Sequence, residues 1–268
     1  MDGSPVARGR TRLEAIGLTV GYGSGAVLQA VDFAVPSGAM TVLVGPNGCG
    51  KSTLLKTLAR LLTPVAGEVR LDGHPIRALP TREVARRLAL LPQGPVAPEG
   101  LTVRELVAQG RYPHQTFLRQ WSATDTRAVE QALGLTATLP LADRPVQSLS
   151  GGQRQRAWIA MALAQETDLI LLDEPTTFLD LKVQMDVMTC LAAIARGGRT
   201  LVVVLHELNV AAAFADHLVM MRDGRIVAQG RPAEVMTPDN LLKVFDLDAR
   251  IIADPETGRP VCIPRLAA

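Results

Sequence analysis

Nine consecutive residues, Gly45-Pro46-Asn47-Gly48-Cys49-Gly50-Lys51-Ser52-Thr53, constrain this chain more than any other stretch. They satisfy Gly-x-x-x-x-Gly-Lys-Ser/Thr, and their flanks suit that pattern. Met40-Thr41-Val42-Leu43-Val44 is apolar and β-branched, as a buried strand is. After the motif, leucines at 54, 55, 58, 61 and 62 with cations between them predict a helix over residues 54–62. A glycine-rich turn from strand to helix lets successive N–H groups converge on an anion, because no Cβ obstructs the curl. The helix start adds the positive end of its dipole. Lys51 is then placed to reach β- and γ-phosphates, and Ser52 to offer its hydroxyl to Mg2+.

At 268 residues the chain can bury one large core, or a core and a small subdomain. Its net charge is +2, which argues against a nucleic-acid binder; such a protein would carry a basic excess. Cys49, Cys190 and Cys262 are scattered, with neither metal spacing nor a pairing pattern, and suit a reducing compartment. Residues 1–11 read as a loose tail without the apolar segment of a signal peptide. No apolar run approaches the ~18–20 residues of a membrane span, so any work at a membrane would be that of a peripheral subunit.

Residues 13–35 read as short strands around a turn at 21–25 that holds Tyr22. Its ring could stack on an adenine face, although a loop tyrosine taken alone is more often simple packing. Residues 68–72 read as a strand, 81–87 as a short helix, and 88–91 as a strand ending in Pro92-Gln93. Residues 94–150 turn helical, with helices expected at 103–109 and 124–133. Within them Arg111-Tyr112-Pro113-His114-Gln115 reads either as a solvated loop or as a docking surface. Leu149-Ser150-Gly151-Gly152-Gln153 then opens a helix; Ser150 can cap it, and the glycines leave amides uncovered. This is a second phosphate-binding helix start. One nucleotide does not need two, which suggests that the second serves a nucleotide held by another copy.

Leu169-Ile170-Leu171-Leu172 reads as a strand buried on both faces, ending in Asp173-Glu174. An Asp at such a strand end suits Mg2+, and Glu174 could polarise an attacking water. A helix is expected over 182–196 and a strand over 200–205, followed by His206, where ligand sites of open α/β sheets lie. His217 is expected in a later helix, without a role.

The order of these motifs resembles the ATP-binding cassette (ABC) ATPases over roughly residues 13–248. The resemblance implies an α/β fold: a P-loop NTPase (RecA-like) core with an antiparallel β subdomain and a helical subdomain inserted at about 94–160. It makes residues 45–53 the Walker A loop, Gln93 the glutamine loop, Leu149–Gln153 the signature, Leu169–Asp173 the Walker B strand, Asp180 part of the D-loop and His206 the switch histidine. Tyr22 becomes the adenine-stacking aromatic. Glu174, His206 and Gln93 would be catalytic; Ser52, Gln93 and Asp173 would face Mg2+. Two copies would pair head to tail, each ATP lying between one Walker A and the other's signature. The implied cassette is residues 12–250, with 251–268 a C-terminal extension.

Gly110-Arg111-Tyr112-Pro113-His114, the run 153–161, Thr176-Thr177-Phe178-Leu179-Asp180 and the tail from Asp254 resemble the ferric-siderophore importer branch, close to the cobalamin and haem importers. One departure is Glu207, where many relatives carry Asp; the charge is kept. The branch implies an ATPase on the cytoplasmic face of the plasma membrane, bound to two permease subunits and fed indirectly by an extracytoplasmic substrate-binding protein. Alternatives are the same role for cobalamin or haem, or a soluble ABC protein, which would show tandem cassettes or a coiled-coil insert.

Overall fold

A computed structural model describes residues 12–22, 25–116 and 121–265, without the Tyr22 side chain. The tail expected at 1–11 and the middle of the 21–25 turn lie outside them. The chain forms two compact units: residues up to Ala78 together with those from Gly198, and Leu79–Gly197. In chain order the first unit opens with β1 (Leu13–Tyr22), β2 (Gly25–Val35), β3 (Met40–Val44), α1 (Lys51–Leu58), β4 (Ala66–Leu71) and β5 (His74–Pro75). The second contains α2 (Thr81–Ala85), β6 (Leu88–Leu91), α3 (Val103–Ala108), α4 (Ala123–Leu135), α5 (Gly151–Ala164), β7 (Leu169–Asp173) and α6 (Leu181–Arg196). The first resumes with β8 (Thr200–Val204), α7 (Leu208–Phe214), β9 (His217–Arg222), β10 (Arg225–Gly230), α8 (Pro232–Val235), α9 (Pro238–Phe245), β11 (Ala249–Ala253) and β12 (Pro260–Pro264).

In the first unit, β3 pairs in parallel with β8 (Val42 opposite Val203) and with β9 (Val42 opposite Leu218). β10 returns antiparallel along β9. Every residue of β3 and β8 is buried, as in strands covered on both faces. A separate antiparallel sheet has the order β2-β1-β4-β5. Its first two strands, ten and eleven residues long, replace the short strands expected over 13–35.

Two expectations are corrected here. α1 starts at Lys51 and stops at Leu58 rather than running over 54–62. Arg60 turns left-handed (φ 65°), Arg60 N–H bonds to Thr57 O (3.0 Å) and Leu61 N–H to Lys56 O (2.8 Å). That pair of bonds is a helix-closing Schellman turn, so the last two leucines of the periodic pattern fall outside the helix. His217 begins β9 and lies in no helix; Leu218–Met221 behind it are fully buried, and tertiary pairing with β3 claims the segment.

β6 and β7 pair in parallel in the second unit, Leu88 opposite Leu169. The segment 111–115 is neither of the exposed alternatives throughout. Arg111 is 2% exposed, and its guanidinium donates to Asp125 Oδ1 (2.9 Å), Ala164 O (2.6 Å) and Glu166 Oε2 (2.6 Å). Arg82 and Arg86 both donate to Pro113 O, and the His114 ring bonds to Gln165 O. Only Tyr112 stands well exposed, at the tip of a turn held on all sides. The terminal β11–β12 hairpin of the first unit is fastened to α7: Asn209 bonds to both N and O of Cys262, and Arg259 donates to Ala212 O and Ala215 O.

Candidate functional site

The glycine-rich loop of the first unit leaves β3 and enters α1. A Cβ on Gly45 would lie 2.2 Å from Met221 O, so backbone from β9 closes one wall and admits no side chain. Gly50 caps α1 at φ 104°, and a Cβ there would lie 2.7 Å from Leu28 Cδ2. Lys51 is nearly buried; its ammonium donates to Gly45 O (2.8 Å) and Pro46 O (2.9 Å), spanning the mouth of its own loop. Pro46 is half-buried, Asn47 and Gly48 are exposed, Cys49 is buried, and Ser52 and Thr53 are half-buried on the first turn of α1. Burial pushes the Cys49 thiol pKa up, with the Lys51 charge working the other way. His206 lies two residues past the end of β8 and is exposed; between them Leu205 N–H bonds to Leu43 O. Tyr22 ends β1 opposite Gly25; its side chain lies outside the described residues.

Sequence reasoning missed the prop beneath this loop. Gly224 N–H donates to Cys49 O (3.1 Å), and a Cβ on Gly224 would fall 2.1 Å from Val27 O. Asp223 (φ 48°) and Gly224 (φ 74°) form the tight turn between β9 and β10. The Asp-Gly pair between two apolar runs was the available signal.

The second unit carries the carboxylates. Asp173 closes β7 at 2% exposure. Glu174 follows, half-buried and in the left-handed region at φ 52°, which for a residue with a side chain costs on the order of 1–2 kcal/mol. Its Oε2 accepts from Gln93 Nε2 (2.5 Å), at the end of the β6 segment, and from Thr177 Oγ1 (3.0 Å). Thr177 was not among the expected site residues; nothing in a Thr three positions after a Glu announces the bond. Asp180 caps α6, its Oδ1 accepting from Val183 N–H (2.9 Å).

The signature opens α5 with a reciprocal cap: Gln153 N–H donates to Ser150 Oγ (3.3 Å), and Ser150 N–H to Gln153 Oε1 (3.1 Å). Leu149 is buried and Gly151 exposed. Gly152 is buried, and a Cβ there would lie 2.1 Å from Val183 Cγ1. The second glycine therefore serves the close approach of α5 to α6. Beside this turn is a cleft of about 700 Å3 lined by Gln93, Gln147, Arg154, Trp158, Glu174 and Phe178. Each unit thus presents part of the expected site: a glycine-rich loop with a lysine in one, carboxylates, a glutamine and a second helix start in the other.

A family model for ABC transporters matches residues 28–177. A Bacillus subtilis (strain 168) protein named as a probable siderophore transport system ATP-binding protein is 55% identical, the match covering 92% of this chain and 90% of that one. The ferric enterobactin transport ATP-binding protein of Escherichia coli (strain K12) is 50% identical over 94% of each. A solved structure of an ABC transporter of metal-chelate type, in an inward-facing conformation, superposes with a TM-score of 0.83 at 29% identity, covering 96% of this chain and 98% of that one.

Proposed function

The chain belongs to the ABC transporter family of ATP-binding domains, and we propose that it is the ATP-hydrolysing motor of an importer for ferric siderophores. The observation that carries the cargo is the 50–55% identity to siderophore and ferric enterobactin transport proteins along more than nine-tenths of the chain.

The residue roles rest on chemistry. The N–H groups of the glycine-rich loop, Pro46 excepted, and the Lys51 ammonium hold the phosphates, Gly45 and Gly50 letting the loop pack where a Cβ would strike Met221 O at 2.2 Å and Leu28 Cδ2 at 2.7 Å. Tyr22 stacks on the adenine. The Ser52 hydroxyl and the Asp173 carboxylate are hard oxygen donors that suit Mg2+, with the Gln93 amide as a further ligand. Among the described residues no three His, Cys, Asp or Glu cluster as a metal cage. Mg2+ needs none, because it binds one or two protein oxygens together with phosphate and water. Bound there, the ion would neutralise charge on the β- and γ-phosphates. Glu174 accepts a proton from the water whose oxygen attacks the γ-phosphorus as the bond to the β-phosphate oxygen breaks; ADP and phosphate leave. His206 senses the γ-phosphate.

Ser150, Gly151 and their neighbours then complete the nucleotide site of a second copy, paired head to tail. Closure on ATP and reopening after hydrolysis drive two membrane-embedded permease subunits between access states. Among the described residues no helix is long and apolar enough to cross a membrane, which fits a peripheral subunit on the cytoplasmic face. The substrate-binding protein supplies cargo from the other side without touching this chain. In this reading 12–250 is the cassette, with the helical subdomain at about 94–160, and 251–268 an extension.

The test is uptake. Cells lacking this subunit should fail to accumulate a labelled ferric siderophore, grow poorly under iron chelation, and recover with excess free iron. Loss of haem or cobalamin use with siderophore uptake intact would refute the cargo.

A further inference from the structure

We propose that Thr177 is the positioning residue of the reaction, holding the carboxylate of Glu174 in the orientation from which it takes the proton of the attacking water. The inference rests on the assignment of Glu174 as base. Glu174 sits at φ 52°, off the end of β7, so main-chain conformation alone does not keep its side chain in one direction. Two donors converge on the same oxygen, Oε2: Gln93 Nε2 and Thr177 Oγ1 at 3.0 Å.

The two donors are not equivalent. Gln93 lies 81 positions away in sequence and opens the irregular stretch 92–102, so its amide follows that loop. Thr177 belongs to the same tight turn as the base: Thr177 N–H bonds to Glu174 O (3.4 Å), and Leu179 N–H to Thr176 O (3.3 Å). Gln184 donates to Thr176 Oγ1 from α6 and ties down the middle of the turn. Whatever moves the 92–102 loop, the Thr177 hydroxyl travels with the carboxylate it orients. A donor bonded to the ionised carboxylate fixes its plane without taking the proton, and proton-transfer efficiency depends on that aim.

The measurement is steady-state ATP hydrolysis by the purified full-length chain, with unfolding temperature alongside. Thr177→Val removes the hydroxyl and should lower kcat by about tenfold, with KM for ATP within about twofold. Thr177→Ser keeps the hydroxyl and should restore most of the rate. Thr177→Ala is the second variant should valine fail to fold. Adding Thr177→Val to Glu174→Gln should cost nothing further, because the group being aimed is gone. A wild-type rate in Thr177→Val or Thr177→Ala while Glu174→Gln is inactive would overturn the inference alone. So would a serine variant as slow as the valine one, or an additive double variant. Wild-type hydrolysis by Glu174→Gln would instead bring down the base assignment.

Discussion

Replacing Arg111 by methionine takes a charge out of a site that the fold has already desolvated. The Arg111 and Asp125 side chains are 3% and 6% exposed, joined at 2.9 Å, with Glu166 on the other side of the guanidinium at 2.6 Å. Methionine fills much of the space but leaves Asp125 buried without its cation and Ala164 O without its donor. Removing one partner of a buried pair typically costs about 3–5 kcal/mol. Asp125 retains the N–H and hydroxyl of Ser122, which places the expectation at the low end, about 3 kcal/mol. Both tryptophans, Trp121 and Trp158, belong to the Leu79–Gly197 unit, so urea unfolding followed by their emission reports the affected unit. Burial would raise the Asp125 pKa, but hydrogen bonds from Ser122 and Arg111 and the guanidinium charge outweigh it and hold the carboxyl below its usual range. A depressed carboxylate stabilises above its unfolded pKa and loses that contribution as pH falls through the folded value. The gap between wild type and variant should therefore be full at neutral pH and narrow below about pH 4. Asp125→Asn as background should shrink the cost of Arg111→Met by more than about 1 kcal/mol. A loss under about 1 kcal/mol at neutral pH, or a gap indifferent to acid, would refute the argument.

Lys51→Ala should reduce ATP affinity by at least about a hundredfold, since the ammonium is the cation of the loop, with little change in unfolding temperature; calorimetric titration checks it, and retained affinity would contradict the phosphate role. Gly152→Ala should destabilise the second unit by about 1–3 kcal/mol, because the new Cβ meets Val183 Cγ1 at 2.1 Å. Gly151→Ala, whose Cβ would find only Leu179 Cδ2 at 3.5 Å, should be milder by comparison in the same unfolding assay.

The sequence by itself determined the family and the order of its motifs. Gly45–Thr53, the Ser150 cap, the Asp173-Glu174 strand end and His206 are local signals, since phosphate cradles, caps and buried parallel strands are encoded within a few residues of themselves. Tertiary structure decided what depends on partners remote in the chain. Arg111 could be read from sequence as solvated because its acceptors, Asp125, Ala164 and Glu166, lie 14 to 55 positions away. His217 left the expected helix because β3 offered strand partners to an apolar run that periodicity alone cannot assign. The end of α1 was set by a left-handed arginine that no propensity announces, and Gly152 by a valine on α6. Gln93 reaches the Glu174 oxygen that Thr177 bonds from within the same turn only because the β6–β7 pairing brings two strand ends together. Motif chemistry is short-range and survives in one dimension; burial, close approach and convergence of donors are properties of the packed chain.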